Sequence, residues 1–127
     1  MPDYIGEDFD TFTTQYVETA LWSSIGENGQ PLDDDFDLCD LAPQFISEAT
    51  EDCKNFREAN AELLARAIEL GSTSENNAHN YWLTRNGHGA GFRDRGLGEV
   101  GTKLTEACKV YGSVDLYVGD DQLVYSN

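Results

Sequence analysis

The sequence predicts an α+β fold, two amino-terminal helices followed by a β-α-β-β unit, on three observations. Apolar residues recur at helical spacing from Phe45 to Leu70, alternating residues flank Gly119-Asp120-Asp121-Gln122, and a glycine-rich loop lies between a β-type run and a third helical pattern. The chain has 127 residues, a usual length for one domain. At that length roughly two-thirds of the unfolded surface can be buried, so a core can form without disulfides or metals. The expectation is one domain over residues 1–127: an acidic helix and connector (1–41), a long helix (42–71) and the β-α-β-β segment (78–126).

The elements follow in order. Phe9, Phe12, Tyr16, Ala20 and Leu21 predict a helix over 9–25, stopped by the turn chemistry of Gly26 to Pro31. In the acidic connector, Phe36, Leu38 and Leu41 are the expected anchors. Pro43 suits the first position of the long helix and Asp40 is a plausible cap. The stripe Phe45, Ala49, Cys53, Phe56, Leu63, Ala67, Leu70 runs to Gly71, with weaker propensity and a bend expected near Asn55 to Asn60. Ala78 to Thr84, centred on Tyr81, Trp82 and Leu83, predicts a strand. A helix is expected from Leu97 to Tyr111, with Val100, Leu104, Ala107 and Cys108 inward. Val114–Val118 and Leu123–Tyr125 complete a three-stranded antiparallel or mixed sheet with helices on one face.

Charge is the dominant compositional feature. Lys and Arg total 8 against 24 Asp and Glu, a net charge of −16. Residues 1–53 hold 14 of the acids and no Lys or Arg, whereas the rest carries 10 acids and 8 bases. A field of this sign repels nucleic acid and anionic lipid and attracts basic protein surfaces. Direct nucleic-acid binding and membrane binding are therefore not expected. No apolar run approaches the roughly 20 residues of a membrane span, and no basic segment with an apolar stretch follows Met1. Cys39, Cys53 and Cys108 are widely spaced with no metal-ligand pattern, which suits reduced thiols in a reducing cytosol.

Two clusters stand out as candidate sites. Asp33, Asp34, Asp35, Asp37 and Asp40 form the densest acidic run. Asp33, Asp35 and Asp37 match the opening ligands of a calcium loop, but Leu38 replaces the required glycine and Gln44 the bidentate Glu. A solvated acidic face is thus expected, with no metal and no cofactor. The second cluster, Arg85 to Gly96, combines four glycines with Arg85, His88, Arg93 and Arg95. These bases could hold an anion where a strand meets a helix start, although the spacing fits no phosphate-loop motif. The plainer alternative has the glycines serving tight turns and the arginines pairing with internal acids such as Asp94, Glu99 or those of the first half. No nucleophile–base pair can be assigned.

The run Tyr81-Trp82-Leu83-Thr84-Arg85-Asn86-Gly87-His88-Gly89-Ala90-Gly91-Phe92-Arg93-Asp94-Arg95-Gly96 resembles a family of small acidic proteins of tailed bacteriophages and mobile elements. The similarity continues through Val114 to Asp121 and covers about residues 78–125. At Arg93 the family more often has tryptophan. The resemblance implies a phage setting and supplies no catalytic residues. Setting and charge together favour a non-enzymatic protein that binds and inhibits a basic host protein, a nuclease or defence complex, by imitating duplex phosphates. The alternatives are a small enzyme or anionic-ligand binder using the glycine-rich loop, and a structural or accessory phage component.

Overall fold

In the computed structural model, described over residues 11–26, 29–87, 91–92 and 96–126, the protein is α+β, with five helices and a small antiparallel sheet. Helix α1 (Thr11–Ser23) buries Phe12, Tyr16, Val17, Ala20 and Leu21. The turn after it closes through Gly26 N–H donating to Gln30 O at 2.9 Å and a bridge between Ile25 and Pro31. Residues 9 and 10 of the expected first helix lie outside the described residues.

The long helix is divided. Helix α2 (Pro43–Ala59) and helix α3 (Ala61–Glu69) meet at Asn60, whose φ of −123° is not helical. Its side-chain amide donates to Phe56 O at 2.9 Å, competing with the helical ladder in the manner of Asn, so the break falls in the weak stretch. Pro43 takes the first helical position, but Asp40 does not cap α2. Ala42 is the N-cap and makes no side-chain cap bond. Asp40 instead completes a capping box with Asp37 around the 3-10 turn Leu38–Asp40.

The predicted strand at 78–84 is the main correction. These residues belong to helix α4 (Ser74–Arg85), started by Thr73 accepting from Asn76 N–H. Asn77, Ala78, Asn80, Tyr81, Trp82, Leu83 and Arg85 are all buried. A helix enclosed on nearly every side carries no apolar stripe, so its sequence imitates a buried strand. The sheet therefore has two strands, not three. Strands β1 (Leu116–Val118) and β2 (Val124–Ser126) pair antiparallel in the register Tyr117 to Tyr125, as the hairpin spacing predicts.

Helix α5 (Glu99–Lys109) turns Val100, Leu104 and Cys108 inward. One core cluster joins all five helices to Val124 of the hairpin. Its centre is aromatic: Phe56 and Tyr81 stack with ring centroids 3.9 Å apart, flanked by Phe12, Tyr16, Phe92 and Tyr111. Tyr81 and Trp82, expected within a sheet, are instead the helical centre of this core, while Tyr117 and Tyr125 do stack on the hairpin. Among the described residues no helix is long and apolar enough to cross a membrane.

Candidate functional site

The acidic connector is shaped by its apolar anchors. Leu32 is buried and Phe36 and Leu38 pack against the core, so the chain winds through two 3-10 turns, Leu32–Asp34 and Leu38–Asp40. Aspartates between those anchors are turned outward: Asp33, Asp34, Asp35 and Asp37 are exposed and Asp40 is half-buried. Asp37 accepts from Cys39 N–H at 2.9 Å, and Asp40 accepts from Asp37 N–H at 2.9 Å, which fixes the second turn. At the amino end Leu32 N–H donates to Ser24 O, and at the carboxyl end Ala42 N–H donates to Val124 O. A parallel bridge joins Leu41 to Val124. The five carboxylates thus sit on a ridge tied down at both ends. Among the described residues no Lys or Arg pairs with Asp33, Asp34, Asp37 or Asp40.

Two clefts flank this ridge and share Phe36. One, with a volume of about 360 Å³, lies between α1, the connector and α4 and brings Glu18, Asp33 and Asp37 around Trp22, Phe36 and His79. The other sets Asp35 opposite Asp120 of the hairpin turn. The acidic face therefore gathers carboxylates from α1, the connector and the hairpin. No group of three His, Cys, Asp or Glu among the described residues is placed to hold a metal ion.

Sequence reasoning placed acids of the first helix beside this face, as Glu18 is, but missed Trp22 and His79 as members of it. Trp22 is 54% exposed although it belongs to a helix with a wide buried side. The signal was present: Trp22 lies off the apolar stripe of α1, a position where a large aromatic has no core to fill. His79 is held by a 3.0 Å bond between its Nδ1 and Thr19 Oγ1, and its ring lies 5.7 Å from that of Trp22.

Of the four bases in the second candidate cluster, Arg85 is the one among the described residues, and it follows the plainer alternative of pairing internally. Arg85 points into the protein, where Nη1 donates to Asp52 Oδ2 and Tyr16 Oη at 2.9 Å each. Its Nε donates to Gly112 O and its Nη2 to Tyr111 O, both at 2.8 Å. Burial works against the charge of Arg85, but Tyr16, Tyr81 and Asp52 outweigh it and hold the guanidinium ionised. An arginine whose side chain is 3% exposed, with four of its five N–H donors on internal acceptors, is turned away from an external anion. The physical reason is the helix: at the last turn of α4, position 85 follows Tyr81 by four residues and shares its inward face. Arg85 thus pairs with an acid of the first half, Asp52, whereas Glu99 pairs with Lys103 at 3.8 Å. His88, Arg93 and Arg95 lie outside the described residues.

Two glycines in this region have packing roles. A Cβ on Gly91 would collide with the Thr84 side chain, and Gly91 has φ +51°. A Cβ on Gly101 would sit 2.7 Å from Phe92 O. These close approaches seat Phe92 in the core, where Thr84 Oγ1 accepts from Phe92 N–H at 3.1 Å.

Comparison with protein-family models, with characterised proteins and with solved structures finds no match to this chain.

Proposed function

We propose that this protein is a non-enzymatic acidic binder of the phage type. It docks the ridge Asp33, Asp34, Asp35, Asp37 and Asp40 onto a basic protein of the host cytoplasm, a nuclease or a defence complex, and inhibits it by occupying the surface that would receive DNA. The observation that carries this reading is an acidic ridge held in place from within. Its apolar side chains are anchored in the core, its turns are capped, and Asp33, Asp34, Asp37 and Asp40 face no described cation. Preorganised charges bind more effectively than those of a loose acidic tail, because less ordering entropy is lost on association. The neighbouring Glu18 and Asp120 widen the same field. The internal engagement of Arg85 weighs against the anion-binding alternative.

The test is charge reversal. Asp33→Lys, Asp34→Lys and Asp35→Lys together change exposed residues only, leave the capping box of Asp37 and Asp40 in place and should leave the circular dichroism spectrum intact. Affinity capture from a bacterial lysate is compared at low and high salt, with duplex DNA added as competitor. The wild-type protein should retain a basic DNA-binding protein at low salt and release it to salt and to DNA, and the reversed variant should retain none. Equal capture by both proteins would remove the proposal.

A further inference from the structure

The cleft beside the ridge has a composition that selects one kind of occupant. Its apolar lining comes from Leu21, Trp22, Phe36 and Leu38, and its acids are Glu18, Asp33 and Asp37. Among its described lining residues there is no Lys or Arg, so nothing internal of that kind neutralises the carboxylates. A neutral apolar ligand would bury acid groups without compensation, and an anion would be repelled. A cation with a flat, weakly hydrated surface satisfies both parts. Its charge meets the carboxylates while its plane lies on the indole, an arrangement that gains further when desolvated. Helix α1 also ends beside the cleft with no basic residue in its last turn, so its partial negative charge favours a cation there.

Trp22 is positioned for such contact. Its ring packs against that of His79 at 5.7 Å, yet more than half of the residue is exposed. The bond between His79 Nδ1 and Thr19 Oγ1 holds the histidine against α1, and Gln15 Nε2 donates to the same oxygen at 3.1 Å. The volume of about 360 Å³ lies at the small end of ligand pockets, suited to a single long side chain.

We propose that the cleft between α1, the acidic connector and α4 seats one arginine side chain of a basic protein partner, the guanidinium lying on Trp22 and bonded by Glu18, Asp33 and Asp37. This deepens the proposed docking role and rests on it. The ridge supplies the field, and the cleft supplies the specific contact.

The experiment is a nitrogen–proton NMR titration of the full chain with the peptide acetyl-Gly-Gly-Arg-Gly-Gly-amide and with its citrulline and lysine analogues. The arginine peptide should shift the Trp22 indole N–H and the amides of Phe36 and Leu38. The uncharged citrulline isostere should bind at least tenfold more weakly. Trp22→Ala and Glu18→Gln, both at exposed positions, should each reduce affinity for the arginine peptide by about tenfold. An equal response to citrulline would overturn the cationic occupant, and an equal response to lysine would overturn the planar guanidinium. Shifts spread evenly over remote acids such as Glu62 and Glu69 would overturn the cleft itself. Trp22→Ala retains every ridge carboxylate. If it keeps wild-type affinity for the arginine peptide, the cleft proposal fails, while the ridge is judged separately by lysate capture with the charge-reversed variant.

Discussion

Arg85 Nη1 stands 2.9 Å from Asp52 Oδ2, joining the last turn of α4 to the middle of α2 through the aromatic centre of the core. The same guanidinium binds the carbonyls of Tyr111 and Gly112 just beyond α5, so one side chain links three helical segments. Its carbon also lies 5.5 Å from the Tyr81 ring centre and 5.8 Å from that of Tyr111.

Removing this group should therefore cost stability and not merely a surface contact. Arg85→Met leaves Asp52, the Tyr16 hydroxyl and two carbonyls without their donor, and a destabilisation of about 3–5 kcal/mol is expected. Asp52→Asn should cost less, because its side chain is 31% exposed and an amide can still accept a hydrogen bond. Urea unfolding of the two single variants and the double variant measures the coupling. An Arg85→Met loss under 1 kcal/mol would show that the linkage carries no stability.

Alkaline pH should unfold the protein well before its exposed groups would suggest. Burial raises the Cys108 thiol from its ordinary 9.0 to about 12, and burial also raises Tyr16 and Tyr81, with Arg85 opposing in part. These groups hold their protons in the folded state and lose them in the unfolded chain. Their contribution is complete below pH 9 and is lost as pH rises toward the folded values. Between pH 9 and 10 the thiol alone lowers stability by up to about 1.4 kcal/mol per pH unit, and above pH 10 each tyrosine adds a similar slope. Unfolding free energies measured from pH 8 to 11 should fall with increasing steepness. Tyr16→Phe should flatten the part above pH 10. A profile level to pH 11 would contradict the burial of these groups.

Gly91→Ala should be more damaging than a loop substitution normally is. The added methyl group meets both a left-handed backbone and the Thr84 side chain, so the seating of Phe92 must give way. A loss of about 2–3 kcal/mol is expected in thermal or urea unfolding. Thr84→Ser keeps the Oγ that the added methyl group would meet and should not rescue the variant, and the backbone strain persists as well. Wild-type stability in Gly91→Ala would refute the close approach.

The parts of the fold legible in the sequence are those in which local chemistry decides the outcome. Pro43 starting α2, Asn60 interrupting the long helical stripe and the turn at Gly119 to Gln122 all act within a few residues of themselves. Helix α4 was not legible as a helix, because tertiary enclosure buries both Asn77 and Asn80 alongside Tyr81 and Trp82 and erases the periodic contrast. Of the acidic site, the aspartates could be read directly, since no apolar face could absorb them. Their clefts could not, because Glu18, Asp37 and His79 meet only through packing between elements far apart in the chain. That Arg85 would pair with an acid of the first half was one of two readings open in the sequence, and its inward direction follows from helix geometry in place of the predicted strand.

The attachment of Leu41 and Ala42 to Val124 spans more than 80 residues of sequence. That contact belongs to the class of distant pairings that form slowly, after local helices are already in place. During synthesis the carboxylates leave the ribosome before their carboxyl-end tether, which arrives only when Val124 has emerged. A chain that lacks Val124 thus has the charge without the tether that holds it in shape.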